Sequence, residues 1–116
     1  MMPLTRQQVL AVIKLARDKR YRPDLRGANL HGADLQKTDL HLTNLEWADL
    51  GEADLTGANL VAANLEGASL RWARLQQANL QRANLGWANL QWATYDRATK
   101  WPDGFNPQQA GANLVD

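Results

Sequence analysis

The chain has no cysteine, one serine, one phenylalanine and two histidines among its 116 residues. Without cysteine there is no disulfide frame, no thiolate nucleophile and no thiolate metal site. Mean hydropathy is -0.49 and no long apolar run occurs, so the sequence offers no transmembrane span. Met1 to Leu15 lacks an apolar stretch followed by a small-residue cleavage site, which leads to the expectation of a cytoplasmic protein. The catalytic inventory is as thin. Ser69, the sole serine, fills a slot that Asn29, Asp49 and Asn89 fill elsewhere, so it reads as repeat structure and not as a nucleophile. There is no Gly-rich phosphate loop, no His-Glu motif and no Cys/His cluster, and a non-enzyme without cofactor, metal or evident small-molecule substrate is expected.

Net charge is close to zero as well, yet the charges are segregated. Residues 1–22 carry six basic and one acidic side chain, residues 23–70 two basic and eight acidic, residues 71–100 five basic and one acidic, and residues 101–116 two acidic. The net +1 is therefore a set of alternating bands, and no single-sign field covers the molecule.

What the chain does have is a ladder. From Leu25 to Leu90 a leucine stands at every fifth position, and Tyr95 takes the next place. Alanine lies two residues before nearly every one, from Ala28 to Ala93, with Asn or Asp usually between them, so the unit is Ala-(Asn/Asp)-Leu-x-x. A helix turns about 100° per residue, so a five-residue step would scatter the leucines around its circumference. A flat strand fails too, because an odd period alternates faces. A short extended piece with a bend in each unit satisfies the pattern, and a fixed short period is the sign of a chain coiling on itself. Gly27, Gly32, Gly57 and Gly67 all fall two residues after a leucine, where a positive φ costs glycine little. The narrow interior implied by alanine leaves Thr38 and Thr43, which replace it, needing backbone acceptors for their hydroxyls.

The ends differ from the ladder. Thr5 is placed as N-cap with Gln8 as capping-box partner, and Leu4 and Val9 are placed to staple the entry. Val9, Val12, Ile13 and Ala16 then form one stripe at helical spacing. A helix here reads as a cap over the open end of the coil, with Val9, Val12 and Ile13 as capping residues; the other reading is a basic amphipathic helix for a membrane or acidic partner. Pro23 is expected to stop it. At the far end Trp101-Pro102-Asp103-Gly104 carries a type I turn signature. Trp101 and Phe105 supply apolar bulk where Lys100 occupies the next leucine slot, so they are expected to close the last coil. Residues 1–22 are thus a capping helix and connector, 23–100 the repeat, and 101–116 a capping tail.

The run Leu25-Arg26-Gly27-Ala28-Asn29-Leu30-His31-Gly32-Ala33-Asp34-Leu35 resembles the pentapeptide-repeat family, and the resemblance covers the chain from about Pro23 onward. It implies an all-β solenoid: a right-handed quadrilateral β-helix of four pentapeptides per coil and nearly four coils, with the N-terminal helix as cap. The tail from Tyr95 to Pro107 with Ala110-Gly111-Ala112 is similar to the ending of many cyanobacterial members, in which position 106 is more often Asp than the Asn present here. Some family members imitate duplex charge to modulate DNA gyrase. That alternative fits poorly with an acidic band interrupted by Arg74 and Arg82.

With twenty residues per coil, outward positions twenty apart form columns. Trp47, Trp72, Trp87 and Trp92 all stand two residues after a leucine. Trp72 should stack on Trp92, while Trp47 and Trp87 share the preceding face, separated by Gly67. Clustered exposed aromatics mark binding surfaces, although rings lying flat can also cover backbone. The expectation is a non-enzymatic interaction scaffold that binds a protein partner, or itself, through this tryptophan patch; a purely structural domain is the blander reading. Nucleic acid is not expected, because Arg71, Arg74, Arg82 and Arg97 spread over several faces, and neither is a membrane. Glu46 and Glu66 share one column but would lie open to water, and His31 and His41 fall on opposite faces, too far apart for one metal.

Overall fold

A computed structural model describes residues 2–115. It begins with α1 (Arg6–Asp18), followed by a long ladder of isolated parallel bridges and two short strands, β1 (Thr94–Tyr95) and β2 (Asn113–Leu114), paired in parallel. The bridges couple Asp24 to Asn44, Asn29 to Asp49, Asp34 to Asp54, Asp39 to Asn59, and onward in the same step. Twenty residues therefore make one coil, as four five-residue units. Regular strand is confined to β1 and β2 among the described residues, because each unit bends after a single bridging residue.

One unit shows how the sequence produces this. The Asn44 N–H donates to Pro23 in the coil below at 2.9 Å, while the N–H groups of Leu45 and Trp47 donate to Asn64 and Glu66 in the coil above at 2.7 and 2.9 Å. Ala48 N–H closes the corner onto the Leu45 carbonyl at 3.1 Å, and Trp47 between them has φ 59, the signature of a type II turn. The carboxamide of Asn44 accepts the N–H of Glu46 at 3.1 Å. That bond explains the Asn/Asp of the repeat: a short side-chain acceptor satisfies an N–H that the corner turns outward.

Inside, thirteen of the fourteen ladder leucines are buried, with the alanines from Ala48 to Ala83 beside them. Leu85 is the exception. The chain leaves the ladder after Trp101 and rejoins it at Ala112, so no coil lies over that corner. The two threonines in alanine slots fare differently from the expectation that both find acceptors. Thr38 Oγ1 reaches the Gln36 carbonyl at 3.4 Å, whereas fully buried Thr43 has no partner for its hydroxyl.

At the N-terminal end the capping box forms as expected, with Gln8 N–H on Thr5 Oγ1 at 3.1 Å and Thr5 N–H on Gln8 Oε1 at 2.9 Å. Val9 and Ile13 are buried against the first coil, and Val12 is partly buried. Pro23 does not end the helix. It closes four residues earlier in a Schellman arrangement, with Arg20 at φ 62, Tyr21 N–H on the Ala16 carbonyl at 2.8 Å and Arg20 N–H on the Arg17 carbonyl at 3.0 Å. The helix also closes the open edge of the first coil. Leu4 N–H donates to the Asn29 carbonyl, Arg6 Nη1 to that of Asp34, and Arg17 Nη2 to those of Asp39 and His41, at 2.9–3.1 Å.

At the C-terminal end one extra residue enters the ladder. Asn79 pairs with Lys100, a step of twenty-one, so Lys100 takes the bridging slot and Trp101, not Lys100, follows it in the leucine slot. The bulge is held by Asp96, whose Oδ1 accepts the N–H of Gln77 and of Ala98 at 3.0 Å each, and by buried Thr99, whose Oγ1 donates to the Leu75 carbonyl at 2.8 Å. Trp101 meets Tyr95 edge-on at 5.3 Å and stacks on Phe105 at 5.2 Å. The turn lies one residue later than the type I reading: Phe105 N–H donates to the Pro102 carbonyl, and Gly104 has φ 77, which is type II. Ala112-Asn113-Leu114 then repeats the unit once more, with Ala112 buried and β2 on β1.

Replacing Thr43 by Val removes the unpaired hydroxyl at nearly constant volume and should raise unfolding stability by about 1 kcal/mol in denaturant melts. Three carboxyls titrate below the ordinary aspartate value. At Asp24 the N–H and guanidinium of Arg26 are responsible. At Asp39 and Asp96 burial pushes upward, but His41 and Arg17, and the N–H groups of Gln77 and Ala98, outweigh it. A carboxyl with a lowered folded pKa contributes stability above its unfolded pKa and loses it as pH falls through the folded one. Stability should therefore be flat above about pH 5 and decline toward about pH 2. Asp96→Asn, which keeps the Oδ1 acceptor, should make that decline shallower.

Candidate interaction surface

The four outward tryptophans occupy the left-handed corner position, with φ of 59 for Trp47, 62 for Trp72, 59 for Trp87 and 66 for Trp92. For a bulky L-residue that region costs about 1–2 kcal/mol. Ten of the fourteen corners from Gly27 to Trp92 bear a non-glycine residue, a feature the four glycines alone did not disclose. At most of them the inter-coil bond offsets the strain: Trp47, Trp72 and Trp92 N–H donate to Glu66, Gln91 and Gly111 at 2.9, 3.1 and 2.9 Å.

The rings themselves do three different things. Trp72 and Trp92 stack with centroids 5.6 Å apart and planes at 20°, as two residues one coil apart should. Trp47 leans upward onto Gly67, so closely that a Cβ there would overlap its ring atoms Cδ2, Cε3 and Cζ3. Trp87 stands next above Gly67 in the column, with no coil to lean on. It is 88% exposed, against 66% for Trp47, 57% for Trp72 and 47% for Trp92. Among the described residues it makes no ring contact, and its N–H has no backbone acceptor.

The two histidines are paired with carboxylates of nearby units. His31 Nε2 lies 2.8 Å from Glu52 Oε2, and His41 Nδ1 lies 2.7 Å from Asp39 Oδ1, each on its own corner. Among the described residues no group of three or more His, Asp or Glu side chains could hold a metal. Ser69 bridges Asp49 below and Asn89 above, in the repeat slot expected of it. Two concavities flank the column. One is lined by Gln81, Arg82, Trp101 and Asp103 beside the tail, the other lies along α1, and neither contains a histidine, serine or threonine. Missing from the sequence reading were Arg6 and Arg17 as edge-capping donors. They lie on the same helix face as Val9 and Ile13, one turn to either side, but the first-coil carbonyls they meet become visible only once the coil is built.

A stacked column of five-residue units with an inward Leu/Ala core and outward variable corners defines a β-helical repeat protein. The chain matches the model for pentapeptide repeats in eight copies, over residues 24–41, 39–77 and 58–94, and it belongs to that family, whose fold is a right-handed β-helix. It is similar to alr5209, a pentapeptide repeat protein from Nostoc, with 34% identity, 99% of this chain and 100% of that chain covered, and a TM-score of 0.48. A pentapeptide repeat protein of the Arabidopsis thaliana thylakoid lumen is 32% identical over 78% of this chain and 60% of its own, with a TM-score of 0.55. HetL, a Nostoc pentapeptide repeat protein involved in heterocyst differentiation regulation, is 31% identical over 77% of this chain and 46% of its own, with a TM-score of 0.39. No curated protein sequence matches the chain significantly. Proteins of this family are generally structural or interaction scaffolds without enzymatic activity. Among the described residues no helix is long and apolar enough to cross a membrane.

Replacing Gly67 by Ala should destabilise the protein by about 1–3 kcal/mol, because the new Cβ meets the Trp47 ring and φ is +69. Part of that loss should be recovered in a Trp47→Gly background, as read by a double-mutant cycle in denaturant.

Proposed function

We propose that the protein is a non-enzymatic interaction scaffold, a quadrilateral β-helical column of nearly four coils acting in the cytoplasm. It binds a protein partner, or a second copy of itself, through the outward tryptophans Trp47, Trp72, Trp87 and Trp92. The observation that carries this reading is Trp87. A structural covering role accounts for Trp47, which lies on Gly67, and in part for Trp72 and Trp92, which cover each other. It does not account for Trp87, which is 88% exposed at a φ that glycine would adopt freely. A large aromatic held in a strained conformation with most of its surface open to solvent is the kind of group that anchors an interface. Its neighbours along the corner row, Trp72 and Trp92, add partly exposed indole surface on the adjacent column. DNA mimicry gains no support, since the stacked pair Asp34 and Asp54 continues into Arg74.

Trp87→Gly separates function from folding. It frees the backbone and removes a side chain that is largely exposed, so stability should be unchanged or higher by up to about 1 kcal/mol. Proteins captured from the native cell by the immobilised wild type, or self-association seen by sedimentation equilibrium, should be lost with Trp87→Gly and with Trp72→Ala/Trp92→Ala. Retention of the same captured set and the same mass by both variants rules the patch out.

A further inference from the structure

A second surface lies at the opposite end of the column, where α1 gives way to the first coil. The Schellman closure turns the chain back at Arg20 and sets Tyr21 beside the last helical turn. Together with Val12, Leu15 and Ala16 it walls a mainly apolar groove of about 480 Å3, within the size range of clefts that seat side chains or small ligands. Leu15 and Tyr21 are largely exposed on its walls, at 61% and 70%. Lys19, Arg22 and Asp24 complete its lining, and Arg20 stands between the two cations in sequence.

The charge around the groove is uncompensated. Of the six basic residues in this segment, Arg6 and Arg17 are spent on the carbonyls and carboxylates of the first coil, and Lys14 pairs with Asp18 at 2.9 Å. Asp24, the carboxylate in the groove's lining, is held by Arg26 through two bonds of 3.1 Å. Among the described residues no carboxylate pairs with Lys19, Arg20 or Arg22. Edge capping and helix pairing therefore explain three of the cations and leave the three at the groove unexplained. A cationic rim around an apolar floor is complementary to a segment that offers apolar side chains flanked by carboxylates.

We propose that this groove docks an acidic amphipathic segment of a partner protein, with one or two large apolar side chains seated against Leu15 and Tyr21 and carboxylates meeting Lys19, Arg20 and Arg22. A bilayer fits less well: the apolar stripe of α1 that would enter it, Val9 and Ile13, is buried against the column. The site is separate from the tryptophan corners, so the two readings stand or fall independently.

The test is selection of a displayed library of random peptides of about twelve residues on the purified full chain. Enriched sequences should pair Leu, Phe or Trp with Asp or Glu. A selected peptide, titrated by fluorescence anisotropy, should bind roughly tenfold more weakly to Leu15→Ser and to Lys19→Glu/Arg22→Glu. The same loss is expected when its acids are changed to Asn and Gln, while Trp87→Gly leaves its affinity unchanged. Both groove variants alter exposed side chains, and unchanged thermal melting confirms their folding. The proposal is overturned if nothing enriches, if neutral or basic peptides enrich, or if neither groove variant weakens binding. It is also overturned if the protein instead sediments with phosphatidylserine vesicles, or forms a concentration-dependent dimer that Leu15→Ser abolishes.

Discussion

Everything in this molecule depends on a parallel backbone ladder whose rungs are single residues twenty apart. Because each rung is one residue wide, the chain must turn after every bridge, and a turn that closes in so few residues needs one left-handed residue at each corner. The ladder therefore costs strain at every unit and returns inter-coil hydrogen bonds at the same unit, as at Lys37, whose φ is 58 and whose N–H reaches Thr56 at 2.9 Å. Leucine and alanine fill the interior because the coil leaves room for one large and one small side chain per unit. The corner residues, by contrast, lie outside the core, are constrained only by their neighbours one coil away, and are presented at the inter-coil spacing of about 4.8 Å.

That division explains which parts were legible in the sequence. A period of five with leucine and alanine at fixed offsets excludes a helix and a flat strand and calls for a bend in every unit, while the four-unit coil and its register were legible through the family resemblance. The departures were not legible, because each depends on a hydrogen bond that no spacing records. The extra residue at Asp96 to Thr99 exists because a carboxylate can replace a backbone carbonyl as acceptor for Gln77. Ala112-Asn113-Leu114 repeats the unit but stands one residue off the count, and it returns to register only because its step onto Thr94 is nineteen residues instead of twenty. The helix stop at Arg20 escaped notice for a similar reason: arginine gives no sign of a left-handed φ, and the proline further on was the louder signal.

The tryptophans were visible as a set and turned out to differ individually. Column arithmetic placed Trp72 under Trp92 and Trp47 under Gly67, and the rings follow those neighbours. The direction in which a corner side chain leans could not be read from the sequence. Trp47 leans toward the C-terminal coil, and Lys37 does the same over Gly57. A corner side chain at the end of its column consequently has nothing to lean on, which is why Trp87 is bare.

The two ends differ in chemistry as well as in residues. Each unit sends two N–H groups upward and receives one, as the Leu45 unit shows, so the first coil is left with two unmet carbonyls per unit and the last with two unmet N–H groups. An acceptor-rich edge is closed most economically by cationic donors, and Arg6 and Arg17 of α1 do this. A donor-rich edge calls for carboxylates and carbonyls, and Asp96 and the returning strand supply them. Part of the basic charge of residues 1–22 thus follows from the direction of the backbone in a parallel coil. The same reasoning marks what it does not explain: among the described residues the side chains of Lys19, Arg20 and Arg22 close none of the edge carbonyls, so the direction of the backbone does not account for their charge.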